Sequence, residues 1–184
     1  MNKKKVLKII ASIIGAIIII IGVFIAYVYY SYTRDFNTEN KPYKNYIGYI
    51  DQEKALLNDV YELCGEGNLY HTYSSAALKA FKGSKKQFRD TILAEYNHQN
   101  YTDSGYLNFR FLVNCEGNAG WFEIIQMNLD LEETLLNEKM VNELLELTSN
   151  PKHWNIISYN DAPQNYYMYI SYRIEHGKIT EIIP

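Results

Sequence analysis

Residues 105–127 read GYLNFRFLVNCEGNAGWFEIIQM, and the fold is decided there. Leu107, Phe109, Phe111 and Val113 alternate with Asn108, Arg110, Leu112 and Asn114, the period-2 pattern of a half-buried strand. Cys115-Glu116-Gly117-Asn118 supplies turn residues, and Ala119 to Met127 returns as a second strand, so the stretch predicts a β-hairpin. An apolar hairpin face needs cover, and the flanking segments offer it. Upstream, Ser84 to Tyr96 (SKKQFRDTILAEY) predicts a helix with Ser84 as N-cap and Phe88, Ile92, Leu93 and Tyr96 along one face. Downstream, Leu131 to Ser149 predicts a helix with Leu136, Met140, Leu144 and Leu147 on one stripe and Val141 and Leu145 beside it. Glu132-Glu133 then opens that helix, where carboxylates favour its dipole, and Asn150-Pro151 ends it.

Further out, Asp161-Ala162-Pro163 marks a turn and Tyr166 to Glu175 (YYMYISYRIE) a strand. His176-Gly177 turns the chain, and Lys178 to Ile183 is expected to fold back on that strand and fill its edge. Asp51 to Cys64 (DQEKALLNDVYELC) has helical spacing and is stopped by Gly65 and Gly67; residues 69–79 fit no single pattern. The expected class is α+β, an antiparallel sheet of two hairpins packed on helices.

At the N-terminus, Lys3, Lys4, Lys5 and Lys8 precede Ile9 to Tyr32, which has no charged residue. Such a run crosses a hydrocarbon core of about 30 Å as one helix, and the lysines place its start in the cytoplasm. A cleaved signal peptide is the alternative. Its apolar core would be roughly 7–15 residues before a small-x-small site. Here the core is longer and ends in Phe24, Ile25, Ala26, Tyr27, Val28, Tyr29 and Tyr30.

Of the 18 Lys and Arg, four precede the span, leaving 14 against all 21 Asp and Glu, a net charge of −7 beyond it. That sign disfavours nucleic acid and anionic lipid as partners. Cys64 and Cys115 both lie beyond the span, where an oxidising compartment would join them; two separate buried thiols are the other reading. His71, His98, His153 and His176 are scattered, and no HExxH, CxxC, GxSxG or phosphate loop occurs. No catalytic residue, metal ligand or cofactor is therefore expected. Tyrosine is unusually frequent at 18. Tyr166, Tyr167, Tyr169 and Tyr172 fall on both faces of one strand, which points to a partner-binding surface; the plain alternative is the taste of strands for aromatic residues.

In this order the residues resemble TonB C-terminal domains. Phe81-Lys82-Gly83-Ser84 before a helix is similar to that family's Phe-x-Gly-Gly helix opening. The hairpin with Gly105 at its start and Gly117 in its turn, Trp154 after the second helix, and the tyrosine-rich strand continue the likeness over residues 80–174. The resemblance implies an inner-membrane anchor, a periplasmic domain, proton-driven partners and outer-membrane receptors that pair with its last strand. Three features depart from it: the anchor has Ser12 where the family carries a histidine, the tether has only Pro42, and Lys178 to Ile183 competes for the receptor's edge. The chain is thus read as a basic cytoplasmic segment (1–8), a transmembrane helix (9–32), a tether (33–50) and a periplasmic TonB-C-terminal-like domain (51–184). The expected function is a non-catalytic contact module for other envelope proteins, linked to outer-membrane transport, single-pass in the inner membrane through residues 9–32. The alternatives are a true TonB-type energy transducer and a small extracytoplasmic enzyme without a recognisable motif.

Overall fold

The computed structural model describes residues 3–35, 50, 55, 61–65, 69–70, 79–98 and 100–183. The chain divides into two compact units, Met1–Pro42 and Tyr43–Pro184. In the first, helix α1 spans Lys3–Asp35. Its stretch Leu7–Arg34 contains an 18-residue window of mean hydropathy 3.1, long and apolar enough to cross a membrane. The helix runs three residues into the expected tether. There the Thr33 hydroxyl donates to the Tyr29 and Tyr30 carbonyls, both at 3.0 Å, so it supports the last turn rather than breaking it.

The second unit is α+β. Its strands are β1 (Leu69–Tyr70), β2 (Gly105–Val113), β3 (Ala119–Met127), β4 (Ile157–Tyr159), β5 (Ala162–Glu175) and β6 (Lys178–Ile183). Helices α2 (Lys85–Glu95) and α3 (Glu138–Ser149) and a 3₁₀ turn, Pro151–His153, complete it. The sheet runs β1-β5-β2-β3, with β4 and β6 also paired to β5. Pairing is antiparallel except for β1, which lies parallel to β5, so the sheet is mixed. The Gly105–Met127 hairpin forms as its alternation requires, and β6 folds back on β5 from Glu175↔Lys178 to Ser171↔Ile183.

Leu107, Phe109, Phe111 and Val113 of β2, Phe122 of β3 and Tyr166, Met168, Ile170, Tyr172 and Ile174 of β5 share the face covered by α2 and α3. Phe88 and Ile92 come down from α2, and Met140, Val141 and Leu144 from α3. Trp154 is fully buried at the centre, its ring 5.1 Å from Phe111, 5.4 Å from Phe81 and 5.5 Å from Phe88. Its indole N–H donates to the Thr148 carbonyl at 2.9 Å, which disposes of the ring's one polar atom. Ser84 caps α2 by accepting from the Gln87 amide.

Three expectations need correction. The helix read over Asp51 to Cys64 lies mostly outside the described residues, and its last four, 61–64, are irregular, because the Cys64 amide and carbonyl are both taken by the Asn165 side chain. Helix α3 begins at Glu138, not Leu131. The Asn128 carboxamide captures the amides of Asp130 and Glu132 and bends the chain, so Glu132-Glu133 precede the helix; Asn137 is its N-cap and Glu138 the acid of its first turn. The turn falls on Asn160-Asp161, both left-handed (φ 49° and 61°), with Ala162 and Pro163 already in β5; this two-residue turn creates a strand, β4, that the sequence did not announce. The expected α+β class, two hairpins packed on helices, is the one observed, with parallel β1 added beside them.

Candidate functional site

The second face of the sheet carries what the helices leave open. Register places its residues in rows across β5, β2 and β3: Tyr167-Leu112-Gly120, Tyr169-Arg110-Glu123, Ser171-Asn108-Ile125 and Arg173-Tyr106-Met127. A β-bulge sets Trp121 and Phe122 opposite the single residue Phe111. Trp121 adopts φ 51° there, so its indole joins the second face while Phe122 stacks on Phe111 at 4.5 Å on the first.

Among the described residues, the Tyr61 segment covers the first row, and in the second Glu123 is buried as well. Tyr61 lies flat over Gly120, where a Cβ would come within 2.3 Å of its ring, and meets Trp121 edge-on at 5.5 Å. Ile50, Leu112 and Tyr167 close this small second cluster. Burial pushes the Tyr61 phenol well above its ordinary range, with the Tyr166 hydroxyl adding to the effect.

Two amides and one covalent bond hold the covering segment. Asn165, 2 % exposed, accepts from the amides of Cys64 (2.9 Å) and Cys115 (3.2 Å) and donates to the Cys64 carbonyl (3.0 Å). Asn114 donates to the Glu62 carbonyl at 3.1 Å while its oxygen accepts from the Glu116 and Asn118 amides, fixing the β2–β3 turn. Cys64 and Cys115 are bonded, with Cα atoms 5.8 Å apart. A cleft of about 660 Å³ opens beside this clamp, lined by Tyr61, Glu62, Leu63, Cys64, Glu116 and Asn118 among others. Among the described residues, no group of three His, Cys, Asp or Glu side chains is placed to hold a metal ion.

Of the four tyrosines read as a contact surface, Tyr166 and Tyr172 belong to the helix-covered core and Tyr167 to the second cluster; Tyr169 alone is exposed, at 38 %. The reason is geometric: residues 166 and 172 share the core-facing parity of β5, and Tyr167 lies under the Tyr61 segment. The Tyr172 hydroxyl is spent on Thr148 at 2.7 Å and that of Tyr166 on the Asn155 carbonyl at 2.8 Å. Tyr169 therefore remains, beside Arg110 and a buried Glu123 whose carboxylate lies 3.6 Å from the Arg110 guanidinium. One row further, the Ser171 hydroxyl donates to Asn108 at 2.5 Å. The surface so formed is polar and aromatic.

Sequence reasoning missed Asn114 and Asn165. Each is one asparagine in a strand or turn, and nothing local distinguishes an asparagine that clasps a distant backbone from one that faces water. No family model matches the chain, and neither a curated protein nor a solved structure does.

Proposed function

We propose that the chain is a single-pass inner-membrane protein, its N-terminus in the cytoplasm and its C-terminal domain in the periplasm, acting there as a non-catalytic contact module for other envelope proteins. The observation that supports this reading is a cystine, Cys64–Cys115, that follows in sequence a helix of membrane-crossing length whose first residues include Lys4, Lys5 and Lys8. Positive residues stay in the cytoplasm, and disulfides persist outside it. The open rows around Tyr169 supply the contact surface, and the likeness to TonB C-terminal domains suggests outer-membrane transport as the setting. A C-terminal fusion is expected to be active with a periplasmic reporter and silent with a cytoplasmic one. Thiol labelling without reductant is expected to leave Cys64 and Cys115 unmodified. Cytoplasmic activity, or a mature protein lacking residues 1–32, would overturn the topology.

TonB-type energy transduction is the weaker reading. Residues 36–51, which follow α1, reach no more than roughly 60 Å, and β6 already pairs with the edge of β5 that a receptor strand would take. Deleting residues 177–184 is expected to bare that edge and raise self-association in light scattering. A truncated protein that stays monomeric and binds no added strand peptide would remove edge pairing from the proposal.

A further inference from the structure

Residues 128–137 (NLDLEETLLN) join β3 to α3 and carry three exposed leucines. Leu135 is 86 % exposed and Leu131 63 %, the two most exposed large apolar side chains described beyond α1, and Leu129 is 42 % exposed. Single exposed leucines are ordinary; three within seven residues concentrate apolar surface on one loop. Nor is the loop slack. Asn128 accepts from the amides of Asp130 and Glu132, both at 2.9 Å, and its own amide donates to the Glu132 carbonyl at 2.9 Å. The Thr134 amide donates to Gln126 at 3.2 Å and the Leu136 amide to the Gln126 side chain at 2.8 Å, tying the loop to the outer side of β3. Within this frame Leu131 sits at φ 65°. A left-handed backbone disfavours leucine, and an exposed position gives its side chain nothing in return. Glycine would fit both conditions better.

The rim of the patch selects its occupant. Asp130, Glu132, Glu133 and Glu138 are all exposed, and no lysine or arginine occurs from Trp121 to Glu138. We propose that this loop is a preorganised docking finger for a protein partner offering an apolar hollow rimmed by Lys or Arg. Anionic lipid would meet four carboxylates, and a two-fold pairing of copies through this patch would set the same four against themselves. Charge complementarity therefore favours a different, basic-rimmed protein.

The inference specifies a partner for the contact function proposed above and rests on that reading. It is tested in the full-length chain in its native cells with Leu135→p-benzoylphenylalanine, irradiated and analysed by mass. One discrete adduct is expected, joined at a partner peptide with apolar residues flanked by Lys or Arg. Its yield is expected to fall about tenfold, the loss of a central contact, with Leu131→Gly and with Glu132→Lys/Glu133→Lys. Leu131→Gly relaxes the backbone, so its thermal midpoint is expected not to fall, which separates lost docking from lost fold. No adduct, an adduct to lipid, an adduct of two copies, or a yield indifferent to these substitutions would overturn the finger. The same probe at Tyr169 distinguishes the failures: an adduct there with none at Leu135 would overturn the loop and leave the contact module standing.

Discussion

On the first face of the sheet, Phe109, Phe111, Tyr166, Ile170 and Tyr172 meet Phe88, Met140, Leu144 and Trp154 through broad apolar contact. On the second, residues 61–64 are laid across Leu112, Trp121 and Tyr167 and held by the Asn165 and Asn114 amides and one cystine. Apolar burial is non-directional and shared among many residues, so the first face forms or fails as a unit. The second is held at a few points. Cutting one of them should release a segment and leave the fold, which is the property expected of a surface that can be remodelled.

The largest effect belongs to the first face. Trp154→Ala is expected to cost about 3–5 kcal/mol, because the indole fills the space between Phe81, Phe88 and Phe111 and its N–H satisfies Thr148. Trp121 then remains as the one tryptophan reporter, so urea unfolding by fluorescence and by far-UV circular dichroism can be compared. Coincident transitions shifted together are expected. A variant that loses only its Trp121 signal would break the distinction between the faces.

Next comes the cystine. Joining residues 51 apart removes about 4 kcal/mol of loop freedom from the unfolded chain in the entropic treatment. Cys64→Ser/Cys115→Ser is expected to lower the urea midpoint, yet below that midpoint its damage should be local. Amide exchange should rise at residues 61–65 while α2 and α3 stay protected. Equal loss of protection in the helices would mean that the clamp is part of the main core. A smaller step follows for Asn165→Ala, which strands the Cys64 amide and carbonyl and the Cys115 amide at a cost of about 1–3 kcal/mol. In the oxidised protein the bond should keep the segment docked; under reductant the variant should release it before the parent chain does.

The same division sets what the sequence discloses. The β2–β3 hairpin, α2 and its Ser84 cap, and the β5–β6 return are legible because each is specified by neighbours in sequence: alternation, helical spacing, a cap, a Gly turn. The start of α3 is misread because Leu131, Glu132 and Glu133 have helical character, while Asn128, three residues earlier, competes for their backbone. The parity of the four tyrosines is legible, but which parity faces the helices is fixed only when β2 and β5 pair. The cover on Trp121 comes from Tyr61, and the role of Asn165 from Cys64 101 positions away; no local pattern encodes either.

The smallest effect concerns pH and again belongs to the first face. His153 is buried at 5 % exposure, its ring 5.0 Å from that of Phe88, and its Nε2 has no hydrogen-bond partner among the described residues. Burial lowers its pKa, and the neighbouring Lys152 lowers it further; Glu95, which holds Lys152 at 2.6 Å, and a hydrogen bond to the Leu147 backbone pull the other way without cancelling the shift. The folded-state value lies below the ordinary value of about 6.5. Between the two, the unfolded chain carries a proton that the native one does not, so this stability is fully present above about pH 6.5 and is lost as the pH falls toward the folded-state value. The urea midpoint is expected to decline between about pH 7.5 and 5.5, and less steeply in His153→Phe, whose ring suits the aromatic site and does not titrate. His71, His98 and His176 remain in both proteins. Equal slopes would leave His153 a passive filler, whereas a shallower slope with an unchanged Trp121 docking signal would locate the proton sensitivity of His153 in the helix-covered face.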